Sequence, residues 1–202
     1  MLYKHTADLI EYIDKNYGHK IGTLRTVTNG TVVPKEEVLE KLSKCNIEIT
    51  VDDYREAVPR FNNRFDQLIE KLEEYNIKYY INKAESWIDL APDTTDYSKL
   101  SEEELIKHRD SCSQSWEELR DGKIYSCNYA AYATVAGIAG EQDLEETYNL
   151  EKFTPEKKKE LVEFRLGYTE KGYTNFCKKC RGFTPENSDE VEFSGITEGV
   201  VF

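Results

Sequence analysis

The chain has 202 residues, 39% of them hydrophobic, which is enough for one sizeable domain or a medium domain with a small companion. A net charge of −12 argues against a broad nucleic-acid surface, because such surfaces use Lys and Arg to neutralise phosphates. No apolar run reaches membrane-spanning length, and Asp8, Glu11 and Asp14 interrupt the place where a signal peptide would be apolar, so a cytoplasmic chain is expected.

The predicted elements alternate over the first ninety residues. "TADLIEYIDKNYG" sets Leu9, Ile10 and Ile13 at helical spacing, with Thr6 as N-cap and Gly18 past the end. "KIGTLRTVTNG" is rich in β-branched residues and closes on the turn pair Asn29-Gly30. "PKEEVLEKLSKC" places Pro34 at a first helical position and Glu36 and Glu37 in the first turn. A strand, "IEITV", follows and ends on Asp52-Asp53. After it come a helix through Phe65, Leu68, Ile69 and Leu72, and a strand over "IKYYIN". Such alternation predicts parallel strands with helical crossovers. The order begins on a helix with no strand before it, so residues 1–91 read as an α/β segment that lacks its beginning, and periodicity leaves an open sheet and a barrel both possible.

The pattern changes at "APDTTDYSKLS", read as a boundary loop. Ser101 and Glu104 form a capping box at the start of a short helix. "CSQSWEELRDGKIYSC" then puts a cysteine at each end of a hairpin whose turn is Asp121-Gly122, because Gly accepts the positive φ that tight turns need. The glycine-punctuated "NYAAYATVAGIAG" is next. "TPEKKKELVEFRLGY" reads as a helix with Thr154 as N-cap and Pro155 first, and "CKKC" follows it. Residues 92–183 make a small α+β domain, and 184–202 an acidic tail expected to be flexible.

Five cysteines without an export signal fit poorly with a disulfide framework. Gly122 lets Cys112 and Cys127 become neighbours, while Cys177 and Cys180 form a knuckle. Two pairs make four thiolates, a full set for a tetrahedral zinc or an iron–sulfur cluster, and spacing alone leaves both open.

Cys112, nine residues, Gly122, four residues and Cys127 match the pattern C-x(9–15)-G-x4-C. This resembles the SPASM and twitch auxiliary-cluster domains of radical S-adenosylmethionine (SAM) enzymes. A later CxxC with no further cysteines is similar to the single-cluster twitch version. "TVTNGT" and "ITVDDY" resemble the third and fourth strand ends of that family's barrel, and "LYKHTADLIEYI" the helix after its Gly-Gly-Glu-Pro strand. The resemblance implies an incomplete parallel (β/α) barrel segment over residues 1–91 and an auxiliary [4Fe–4S] cluster on Cys112, Cys127, Cys177 and Cys180 in residues 92–183. It also implies contact of Thr28, Asn29, Asp52 or Asp53 with SAM or substrate, since parallel strand ends are where such sites are built. A peptide, sugar or small metabolite would be substrate, and a flavodoxin or ferredoxin the electron donor. The chain has no C-x3-C-x2-C to hold the SAM-binding cluster, so it reads as the C-terminal portion of such an enzyme, inactive alone. SAM and the second cluster belong to the intact enzyme only, and no catalytic residue is assigned.

The alternative from another class is a binding module with a structural four-cysteine zinc site. A natural subunit completed by a second chain is a third possibility. Cys45 reads as a small buried hydrophobe. His5, His19 and His108 are expected at the surface, Trp87 and Trp116 in packing, with Trp116 a candidate cover for the cluster.

Overall fold

The computed structural model describes residues 5–56, 59–83, 86–113, 116–138, 146–165 and 171–190. These fall into two compact units, divided between Trp87 and Ile88 and again between Asp189 and Glu190. Strands β4 (Ser86–Ile88) and β8 (Ser188–Glu190) form a two-stranded sheet. Among the described residues no helix is long and apolar enough to cross a membrane.

The first unit runs α1 (Thr6–Tyr17), β1 (Leu24–Thr28), α2 (Glu36–Leu42), β2 (Ile47–Asp53), α3 (Asn62–Glu74) and β3 (Lys78–Lys83). Its strands are parallel in the order β1-β2-β3, with Thr28 opposite Val51 and Asp52 opposite Asn82. Two helix starts differ from the sequence expectation. The His5 carbonyl accepts the first helical bond, from the Leu9 N–H, so Thr6 is already helical. Glu36, not Pro34, is the first helical residue of α2, with Lys35 as its N-cap, the Lys35 carbonyl accepting from the Val38 and Leu39 N–H groups.

All three helices cover the same face of this sheet. Ala7 and Ile10 of α1, Leu39 and Leu42 of α2, and Phe65, Leu68 and Leu72 of α3 share one core with Ile47, Ile49 and Val51. The period of two in β2 is what sends those three inward. The opposite face carries the row Val27, Thr50, Tyr80, in which Val27 is 56% and Tyr80 59% exposed. Parallel strands are ordinarily covered on both faces. The three described strands do not close into a barrel.

The second unit runs α4 (Glu102–Ser111), β5 (Glu118–Arg120), β6 (Lys123–Tyr125), α5 (Asn128–Val135), β7 (Thr147–Asn149) and α6 (Lys158–Arg165), and continues into a 3-10 turn over Asn175–Lys179. The β5–β6 hairpin turns on Asp121 (φ 50°) and Gly122 (φ 71°), the left-handed pair of a type I′ turn. Strand β7 extends it antiparallel to β6. The Ser101 hydroxyl accepts from the Glu104 N–H, and the Glu104 carboxylate accepts from the Ser101 N–H at 2.8 Å, completing the capping box of α4. Thr154 precedes a 3-10 turn, Pro155–Lys157, which leads into α6. Of the expected tail, residues 184–190 form the 3-10 turn Pro185–Asn187 and β8, while 191–202, like Gly140, lie outside the described residues.

Candidate metal centre

Element ends deliver all four sequence-predicted thiols of the second unit. Cys112 is the C-cap of α4 and Cys127 the N-cap of α5, both in extended conformation. Cys177 lies in the Asn175–Lys179 turn and Cys180 caps it. The hairpin returns the chain so that the Asn128 N–H donates to the Trp116 carbonyl at 3.0 Å. The knuckle is pinned from several sides. The Tyr97 N–H donates to the Lys178 carbonyl at 2.8 Å, the Arg181 N–H to the Leu90 carbonyl at 3.0 Å, and His108 Nε2 to the Cys180 carbonyl at 2.8 Å.

The four cysteines line one cavity of about 30 Å3, together with Leu90, Phe176, Phe183 and Tyr129, whose ring stacks on Phe183 at 5.8 Å. All four are free thiols. Polar hydrogens converge on the sulfurs. The Phe183 N–H donates to Cys112 Sγ at 3.3 Å, and the Gly182 N–H to Cys180 Sγ at 3.3 Å. Thr174 Oγ1 lies 3.3 Å from Cys177 Sγ. The Ala130 and Tyr129 N–H groups at the start of α5 point toward the Cys127 thiol and draw its pKa down, although no side-chain capping bond of full geometry forms there. Burial outweighs these contacts, pushing the Cys127 and Cys177 thiols up and Cys180 to about 12. At neutral pH those three are thiols, and a metal taken up here releases protons.

Four thiol donors, an otherwise largely apolar wall and N–H groups aimed at sulfur fit a thiolate-bound metal group. Among the described residues no three His, Cys, Asp or Glu side chains are gathered tightly enough to hold one metal ion. A tetrahedral zinc with Zn–S near 2.3 Å needs sulfurs ~3.8 Å apart. A polynuclear cluster places each thiolate on its own iron, so its ligands stand farther apart around a shared cavity.

The strand-end residues lie apart in sequence and in unit. Thr28 is buried and its hydroxyl accepts from the Gly30 N–H at 3.4 Å. Asn29 Oδ1 accepts from the Thr31 hydroxyl at 2.8 Å, an Asx-type turn. Asp52 accepts from Asn82 Nδ2 at 2.8 Å across the strands, and Asp53 is gripped by Arg55 through Nε at 2.9 Å and Nη2 at 2.7 Å. Neither aspartate caps a helix, since Phe61 holds that position for α3. Register brings Asp52 and Asp53 to one strand end beside Asn82 and Lys83.

Other residues were placed differently from their sequence reading. His108 is half-buried in the cavity wall rather than at the surface, with its ring edge-on to Tyr97 at 5.1 Å. Trp116 is 67% exposed and packs against no core, so it does not cover the thiols. The Trp87 side chain lies outside the described residues. Cys45 is partly buried against the first core, its thiol 3.3 Å from the Lys41 carbonyl. Arg109, Thr174, Gly182 and Phe183 were not anticipated. Only the Gly two residues past CKKC gave a signal, since φ +89° at Gly182 is open to glycine and a Cβ there would stand 3.2 Å from His108 Cε1. Comparison with known proteins returns no matching family model, no matching curated protein and no matching solved structure.

Proposed function

We propose that the second unit binds a [4Fe–4S] cluster through Cys112, Cys127, Cys177 and Cys180, and that the chain is the C-terminal, auxiliary-cluster portion of a cytoplasmic radical SAM enzyme. One observation carries the metal reading: four cysteines from three separate segments line a single cavity, with polar hydrogens turned toward their sulfurs. Hydrogen bonds of this kind stabilise thiolate over thiol and are the usual environment of a metal–sulfur bond. The nine-residue spacing from Cys112 to Gly122 and four more to Cys127, rather than a second CxxC knuckle, favours iron–sulfur over a single zinc. The radical SAM assignment is supported by the C-x(9–15)-G-x4-C spacing and by Thr28, Asn29, Asp52 and Asp53 at parallel strand ends.

When bound, the cluster supplies one-electron chemistry. With all four ligands from protein, the residues here hold it, exclude water through Leu90, Phe176 and the Tyr129–Phe183 stack, and leave no ligand position for substrate. The substrate is a peptide, sugar or small metabolite, and the electron donor a flavodoxin or ferredoxin. Anaerobic purification tests the reading. Brown protein with iron and sulfide at about four per chain, lost in the Cys112→Ser and Cys180→Ser variants, is expected. Colourless protein with one zinc per chain defeats it in favour of a structural zinc module.

A further inference from the structure

Four arginines lie in the second unit, and three have a carboxylate partner. Arg120 pairs with Glu118 at 3.3 Å, Arg165 with Glu117 at 2.9 Å, and Arg181 with Asp89 at 3.3 Å. Arg109 is the exception: among the described residues no carboxylate forms an ion pair with it. It is half-buried, sits in the last turn of α4 just ahead of Cys112, and lines the cavity of the four thiols. A half-buried cation without a counter-charge is costly, and the remaining wall is largely apolar.

We propose that Arg109 is the counter-cation of the metal centre, its guanidinium offsetting the negative charge of the four thiolates and raising the cluster's reduction potential. The inference rests on the cluster reading above. Four thiolates leave a [4Fe–4S] group net negative. One electron arriving from a flavodoxin- or ferredoxin-class donor, with no proton, adds a further negative charge. A fixed positive charge in the wall favours that reduced state, and more strongly where water is excluded. The placement also suits the helix, since a cation in the last turn of α4 meets the negative end of its dipole.

The test uses the full chain, reconstituted anaerobically with iron and sulfide and titrated with redox mediators while the reduced cluster is read by electron paramagnetic resonance. Metal content is measured first. Wild-type protein without iron overturns the cluster reading and the Arg109 proposal with it. Loaded wild-type protein isolates the Arg109 question. In Arg109→Gln the reduced-to-oxidised ratio at the wild-type midpoint falls about tenfold, a shift of about 59 mV for one electron. Arg109→Lys stays within about twofold of wild type, and Arg165→Gln, whose partner is Glu117, does not move. If Arg109→Gln does not load, loading by Arg109→Lys but not by Arg109→Met supports the charge. An unmoved midpoint in loaded Arg109→Gln, or Lys failing as Gln does, overturns the proposal and leaves the cluster standing.

Discussion

Replacing Gly122 by Ala separates backbone strain from steric conflict at the turn between Cys112 and Cys127. Gly122 has φ +71°, and a Cβ built on it meets nothing within 4 Å, so no neighbour has to move. What remains is the left-handed backbone, which costs an L-residue about 1–2 kcal/mol. Ala also restricts the unfolded chain relative to Gly, which offsets about 0.4–1 kcal/mol. The net loss is about 1 kcal/mol, or roughly a fivefold rise in the open fraction of the hairpin. Native-state hydrogen exchange on the apo chain, read by mass spectrometry over β5 and β6, should show that fall in protection. Gly122→Asn should lose less, because Asn enters the left-handed region more readily. Gly182→Ala should lose more, since φ +89° is joined there by a Cβ 3.2 Å from His108 Cε1. Unchanged protection in Gly122→Ala, or a greater loss in Gly122→Asn, refutes the claim that the turn's φ angles hold the hairpin.

Ser101→Ala removes one side of the α4 capping box and should cost about 1 kcal/mol, read as faster exchange in the helix that carries Arg109 and ends at Cys112. Leu68→Ala, at a site with no exposed surface in the first core, should lower stability by about 2–5 kcal/mol in urea unfolding. Asp53→Asn tests a pH dependence. Hydrogen bonds from the Arg55 guanidinium hold the Asp53 carboxyl below the usual carboxylate range. A depressed folded-state pKa gives stability that is present above the unfolded value near 3.9 and lost as pH falls through the folded one. The gap between wild type and Asp53→Asn should be about 1 kcal/mol at pH 7, discounted for the exposure of Arg55, and should close below about pH 4. A gap that persists unchanged at pH 3 rules out the Arg55 contact as its source.

Features set within a few residues were legible in the sequence. The Ser101–Glu104 box and the Asp121-Gly122 turn need only neighbours in the chain, and both form as expected. The strands β1 and β2 were legible from β-branched runs, and β3 from its Tyr79, Tyr80 and Ile81. The bare face was not, because Val27 and Tyr80 are apolar like the residues that face inward. Long-range returns were equally hidden. His108 reaches the Cys180 carbonyl and Phe183 the Cys112 sulfur across some seventy positions, so the roles of His108, Arg109 and Phe183 depend on where the chain comes back. Trp116 shows the converse. Its size suggested packing, yet it sits on the hairpin arm facing solvent.

The core beside the thiols is slight: Ala130, Ala133, Phe176 and Cys180 are its buried members. A metal group seated among the cysteines would tie the end of α4, the start of α5 and the CKKC turn to one another, closing a short loop and a long one at once. With the proposed cluster in place, such a unit would draw its persistence from iron as much as from its own side chains. When iron is scarce, the polypeptide would spend more time open to proteases and its abundance would fall without any change in synthesis. Turnover of this chain would then report the iron status of the cell.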